Sequence, residues 1–137
     1  MLRRPARLLL AVALGASLAA CGGSEEPAVA GPVATNVQPG ATLIGTIGTP
    51  DDPNEFSIGL TDSSGAAVTT LPAGDYTITV DDQSRIHNWA FSGDGVDGVA
   101  TDVSGTGKKS FPVTLKAGEY GYVCDPHPSM TGTLKVT

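Results

Sequence analysis

Histidine, cysteine and methionine occur only twice each in 137 residues, and tryptophan only once. Two histidines exclude any protein that needs several histidine-rich metal sites. Basic side chains are scarce too, eight against fourteen acidic ones, for a formal net charge of −6. No run keeps an apolar period of 3.6 residues between helix caps, which sets aside helical bundles and alternating α/β folds. The one long apolar run, Leu8 to Leu18, is too short to read as a stable transmembrane span.

That run instead completes an export signal. Met1 to Arg7 is basic, Leu8 to Leu18 is apolar, and Leu18-Ala-Ala-Cys21 ends in small residues before a cysteine, so residues 1–20 are expected to be removed. The ending resembles the lipobox of bacterial lipoproteins, which implies that Cys21 becomes the lipid-modified first residue. Gly22 to about Gln38 is Gly, Ser, Glu, Pro, Ala and Val without a sustained period. Residues 21–38 therefore read as a flexible tether, reaching on the order of 20 Å for about 15 residues. The expected location is the extracytoplasmic side of a bacterial membrane, in the periplasm or at the cell surface. Losing the signal removes Arg3, Arg4 and Arg7 and leaves five basic against fourteen acidic side chains, a formal charge of −9. Such a surface argues against nucleic acid and against electrostatic membrane binding, so the lipid is the one expected membrane contact.

Residues 39–137 form one domain in this reading. Eight short runs rich in β-branched and aromatic residues follow one another: Thr42–Ile47, Glu55–Leu60, Ala67–Leu71, Tyr76–Val80, Asn88–Phe91, Lys109–Leu115, Tyr120–Cys124 and Gly132–Val136. Gly, Pro, Asp and Ser clusters separate them, as in an all-β Greek-key sandwich of about eight strands. Ser92 to Gly107, with five Gly and three Asp, reads as a polar loop outside the core. Leu71-Pro-Ala-Gly-Asp-Tyr76 and Leu115-Lys-Ala-Gly-Glu-Tyr120 share one pattern. It resembles the tyrosine corner of Greek-key sandwiches, in which a Tyr hydroxyl ties back to upstream backbone.

The scarce residues gather at one place. Tyr120-Gly-Tyr-Val-Cys124-Asp-Pro-His127-Pro-Ser-Met130 holds a thiol, an imidazole and a thioether within seven residues, and the remaining histidine, His87, precedes Asn88 at the end of a strand-like run. Thiolate, imidazole and thioether together select copper among biological metals. Cys124 is otherwise a free cysteine in an oxidising compartment, because Cys21 lies in a segment remote from any packed partner. Taken singly, a strand-end histidine, a buried cysteine or a core methionine is more often structural. Their joint spacing is what carries the metal reading. On an extended strand Tyr120, Tyr122 and Cys124 share a face, so tyrosines turned to the core bring the thiol inward too. Pro126 and Pro128 stiffen the loop that returns His127 and Met130.

This signature resembles the cupredoxins, the small blue copper proteins, over most of residues 40 to 137. The short Cys-x-x-His-x-x-Met loop with a proline after the histidine is most similar to amicyanin, within the amicyanin, plastocyanin and pseudoazurin group. The resemblance implies one type 1 copper with His87, Cys124 and His127 as strong ligands and Met130 as axial ligand. It also implies that Asn88 bonds across to the ligand loop, with its N–H near the sulfur, and that Pro126 withholds a second donor from that sulfur. Plastocyanins carry an exposed aromatic before the ligand cysteine, where this chain has Val123, so the edge of His127 is the expected exit for electrons.

The expected function is electron transfer, not enzymatic catalysis. A membrane-tethered monomer would cycle between Cu(II) and Cu(I) and serve extracytoplasmic redox proteins. The alternative is copper delivery or sequestration, which usually exposes spare Met or His ligands that this chain lacks. Oxidase or nitrite reductase chemistry needs further copper sites and more histidines. A fold kept only as an interaction module is disfavoured because all four ligands are present.

Overall fold

The computed structural model describes residues 31–137, all of them β or irregular. The export signal, Cys21 and most of the expected tether lie outside the described residues. Nine strands form in chain order: β1 Thr42–Ile47, β2 Ile58–Thr61, β3 Thr70–Leu71, β4 Gly74–Asp82, β5 Ala90–Gly93, β6 Val96–Ala100, β7 Gly107–Leu115, β8 Gly118–Cys124 and β9 His127–Val136. They make a four-stranded sheet, β2-β1-β4-β7, and a five-stranded sheet, β3-β9-β8-β5-β6. Both sheets are mixed, since β1 runs parallel to β4 and β3 parallel to β9. The result is an all-β sandwich of nine strands, against about eight expected.

Alternation decides which side chains the two sheets share. Leu43 and Ile47 of β1, Tyr76, Ile78 and Val80 of β4, Val113 and Leu115 of β7, and Leu134 and Val136 of β9 all point inward and are buried. Each sits two or four residues from its neighbour on the same strand, as the pleat demands. Trp89, wholly buried, stacks on Phe91 at 5.7 Å and on Tyr122 at 5.6 Å, and Phe91 stacks on Tyr120 at 5.6 Å. Such offset pairs add about 0.5–1.5 kcal/mol each beyond area burial. A Cβ at Gly45 would meet the Trp89 ring at 2.8 Å, so glycine there lets β1 lie against the indole. Pro112 is tolerated within β7 because that strand is at the edge of its sheet.

Four expectations change. Residues Ser92–Gly107 are not a loop outside the core: β5 and β6 form a hairpin there, and Val96 and Val99 are buried. Gly95 in the turn and Gly98 within β6, at φ of 74° and 73°, supply the left-handed backbone conformations that let so polar a stretch place two valines inward. The run expected over Glu55–Leu60 begins its strand only at Ile58, and residues 51–56 form turns instead. The run Ala67–Leu71 reduces to Thr70–Leu71 plus isolated bridges from Ala67. Ordered packing also starts ahead of residue 39. Val33 bridges Ala67, Ala67 N–H donates to Pro32 O at 2.8 Å, and Val37 is buried in the core. Val37, the partly buried Ala34 and the backbone bonds to Ala67 seat the stretch, while the Val33 side chain stays exposed.

Both tyrosine corners form. Tyr76 Oη donates to Pro72 O at 2.8 Å, four residues upstream. Tyr120 Oη accepts from Lys116 N–H at 3.0 Å and lies 3.1 Å from Lys116 O and 3.2 Å from Asp94 O. The second corner thus ties the start of β8, the strand that carries Cys124, to the β5–β6 hairpin. Tyr120→Phe removes the acceptor that Lys116 N–H has among the described residues as well as a donor, and is expected to cost about 1–3 kcal/mol; Tyr76→Phe, which loses one bond, about 1 kcal/mol. Equilibrium unfolding in urea of the two variants checks this order, and equal or reversed losses would contradict the account.

Candidate metal centre

Three segments meet at one end of the sandwich. β8 delivers Cys124 to the inside, wholly buried, because Tyr120 and Cys124 share its inward face and a bulge between Val123 and Cys124 re-aims the last residue. Asp125 and Pro126 make the turn, and β9 begins at His127, which pairs with Cys124. The expected stiff loop is therefore a two-residue hairpin turn, shorter than the sequence suggests. Met130, three residues into β9, is buried in the core. The segment between β4 and β5 brings His87, also wholly buried.

The ring nitrogens and the sulfur converge. His87 Nδ1 and His127 Nδ1 are 2.9 Å apart, and Cys124 Sγ lies 3.6 Å from the first and 3.5 Å from the second. A point equidistant from the three atoms is about 2 Å from each, within the ~2.0–2.3 Å at which imidazole nitrogen and thiolate bind a first-row divalent ion. The arrangement of His87 defines its tautomer: Nε2–H donates to Asn54 O at 3.0 Å, which leaves the Nδ1 lone pair facing the sulfur. Three electron-rich atoms this close must share protons or a cation. The two imidazoles and the thiolate, with Met130 three residues beyond His127 on β9 to offer a thioether, fit a single type 1 copper.

Asn88 has the place the sequence assigns to it. Its Nδ2 donates to Asp125 Oδ2 at 2.7 Å, and Asp125 N–H donates back to its Oδ1 at 2.8 Å. This reciprocal pair joins the His87 segment to the Cys124–His127 turn. Among the described residues the hydrogen-bonding contacts of the sulfur are the two imidazoles, not the Asn88 N–H. Pro126 is exposed in the turn, beside the exposed Pro128 and Ser129, and His127 is half-buried.

Several residues that hold the site were not singled out in the sequence. Asp82 continues the inward series of β4 and is buried; its Oδ2 accepts from Thr101 Oγ1 at 2.6 Å and its Oδ1 from Ser84 N–H at 3.0 Å. Ser84 Oγ in turn accepts from the backbone N–H groups of Ile86 and His87, at 3.2 and 3.1 Å, and donates to Asn54 Oδ1 at 3.0 Å. Thr101 Oγ1 accepts from Trp89 N–H at 2.9 Å. The backbone on both sides of His87 is thus bonded to one buried carboxylate network. Asp82-Gln-Ser84 is a recognisable Asp–Ser turn motif and was the available signal. Phe56 is the other omission: its ring lies edge-on to His87 at 5.0 Å and to His127 at 4.7 Å. Nothing local in the sequence marks it. In the wall beside Trp89, burial raises the pKa of the Tyr122 phenol, opposed by a backbone hydrogen bond at Leu60, so this ring stays neutral.

Comparison with known proteins agrees with this geometry. A copper protein, rusticyanin, superposes with a TM-score of 0.53 at 18% identity, over 70% of this chain and 76% of that one. Reduced rusticyanin gives 0.51 at 18% identity, over 70% and 78%. A third structure, rusticyanin from Thiobacillus ferrooxidans, has 18% identity and a TM-score of 0.47, over 70% and 76%. At such identities the first two speak for the fold alone, and no curated protein sequence matches the chain. The model of the copper binding proteins of the plastocyanin/azurin family matches residues 65–137, more than half of the sequence, a span that includes His87, Cys124, His127 and Met130 but not Asn54 or Phe56. The chain therefore belongs to the plastocyanin/azurin family of copper binding proteins and has the cupredoxin fold.

Proposed function

We propose that the protein is a mononuclear type 1 copper electron carrier, held to a bacterial membrane by lipid on Cys21 and serving redox proteins on the extracytoplasmic side. The observation that carries the reading is the triangle of His87 Nδ1, His127 Nδ1 and Cys124 Sγ, with sides of 2.9, 3.5 and 3.6 Å, in which His87 and Cys124 are buried and His127 half-buried. Copper bound there supplies a one-electron couple between Cu(II) and Cu(I).

The protein supplies constraint. His87 is bonded through Nε2 to Asn54 and through its backbone N–H to Ser84, and the Asn88–Asp125 pair fixes the turn that presents Cys124 and His127. Ligands held this way keep nearly one arrangement in both oxidation states, so little reorganisation accompanies each transfer. Met130, buried at the same end of the sandwich, is the weak axial ligand in this reading. Buried ligands also oppose release, which favours a carrier over a protein that hands copper on. The half-buried edge of His127, among exposed Pro126, Pro128 and Ser129, is the proposed contact for partners. A small apolar rim suits brief docking. The −9 charge expected of the exported chain suits partners with a basic rim.

Titration of the copper-free protein with Cu(II) is expected to produce an intense thiolate-to-copper absorption band that saturates at one ion per chain and is missing in Cys124→Ser. A colourless titration, or a band indifferent to Cys124, would refute the ligand assignment.

Pro126 has no N–H to offer the sulfur, which leaves the thiolate electron-rich and favours Cu(II). Pro126→Ala is expected to raise the midpoint potential by something on the order of tens of millivolts, the one-electron equivalent of one net hydrogen bond. Voltammetry decides, and an unchanged or lower potential would remove Pro126 from the account.

A further inference from the structure

Phe56 is the most exposed of the large apolar side chains among the described residues, with 62% of its surface open to water. A lone exposed phenylalanine in a turn normally needs no explanation. This one touches both histidines of the site and belongs to a segment built to keep it there. Its ring is T-shaped to His87, at an interplanar angle of 84°, and to His127, at 63°, while those two rings are themselves 4.7 Å apart. One phenyl group therefore caps a pair of imidazoles.

The loop beneath it is closed and anchored. Gly48 N–H donates to Ser57 O at 2.8 Å, sealing the neck. Inside, Thr49 N–H and Glu55 N–H both donate to Asp52 O, at 2.9 and 3.1 Å, and Asn54 N–H donates to Asp52 Oδ1 at 3.0 Å. Gly48 sits at φ 61°, and a Cβ there would meet Pro53 O at 2.5 Å, so the neck accepts only glycine at this tightness. Two further bonds fasten the loop to the site itself: Asn54 O accepts from His87 Nε2–H, and Asn54 Oδ1 accepts from Ser84 Oγ. Phe56 is two residues from that double attachment. The same loop orients one imidazole by hydrogen bond and covers both by ring contact.

We propose that Phe56, carried by the Thr49–Ser57 loop, is a lid over the His87 and His127 imidazoles that keeps solvent and foreign ligands from the metal site. The inference deepens the carrier reading above and rests on it for the role of copper. A carrier must expose enough of one ligand for electrons to pass while denying water and small anions a coordination position. A thin apolar ring laid edge-on against two imidazoles meets both demands. Removing it opens a route to the ring nitrogens without touching a ligand, and because Phe56 is mostly exposed, its loss takes little from the core.

The test compares the wild-type full chain with Phe56→Ala and Phe56→Trp, after thermal unfolding confirms that all three are folded. Copper-free protein is treated with diethyl pyrocarbonate, which modifies histidine; the chain has only two histidines, so the ultraviolet signal reports on His87 and His127 alone. Phe56→Ala is expected to react about tenfold faster than wild type, the rate equivalent of losing one to two edge-on aromatic contacts, with Phe56→Trp near the wild-type rate. In copper-loaded protein, azide is expected to perturb the visible band of Phe56→Ala at concentrations that leave wild type unchanged. Equal carbethoxylation rates in wild type and Phe56→Ala overturn the lid. So does a variant whose one defect is slower electron exchange with a partner, which would make Phe56 a docking residue. A faster reaction in the copper-free variant, together with a wild-type protein that never develops the thiolate band, supports the lid while refuting the copper carrier.

Discussion

The reciprocal bond between Asn88 and Asp125 is the interaction on which the site depends. His87 arrives from the crossover between the two sheets, whereas Cys124 and His127 arrive from a single hairpin. Nothing covalent within 36 residues relates the two. Two hydrogen bonds, at 2.7 and 2.8 Å, bring the segments into register. With that pair in place, the three donor atoms fall within 3.6 Å of one another.

The rest of the structure makes that register rigid. On one side, the second tyrosine corner anchors the root of β8, so the strand that carries Cys124 cannot slide against β5. On the other, the Asp82 network takes up the backbone N–H groups of Ser84, Ile86, His87 and Trp89, directly or through Ser84 and Thr101. A buried carboxylate without a cationic partner is costly unless its oxygens are well bonded. Here both are bonded, and among the described residues no buried side-chain nitrogen or oxygen lacks a partner. The cost of burying Asp82 is thereby exchanged for an ordered His87. Order in the ligand frame is also what low reorganisation on electron transfer requires, so stability and function draw on the same bonds.

The sandwich and the donor set were legible in the chain because both depend on local pattern. Alternation over Thr42–Ile47 places Leu43 and Ile47 inward with the boundaries expected, and the strand from Tyr120 turns its tyrosine and Cys124 to the core as period two requires. The misreadings share a cause. Ser92–Gly107 looked too polar for core, yet two glycines with positive φ allow a hairpin to bury Val96 and Val99. Glu55–Leu60 looked like one strand, yet the hydrogen bonds of Asp52 and Ser57 hold its first half in a turn, and Phe56 goes to the histidines rather than the core. In each case backbone geometry overrode composition.

The sequence by itself determined the chemistry: with two histidines in the chain and one cysteine in the domain, a single soft-ligand site was the only one these residues could build, and the Cys-x-x-His-x-x-Met spacing put three donors on one hairpin. Spacing is a local property, so it survives without coordinates. Only the tertiary structure decided what surrounds the donors. Asn54, Phe56, Asp82 and Thr101 lie 33, 31, 5 and 14 residues from His87 along the chain, and no periodicity links them to it. Their roles arise from long-range hydrogen bonds and ring contacts, which depend on how two sheets and their loops close on each other in space.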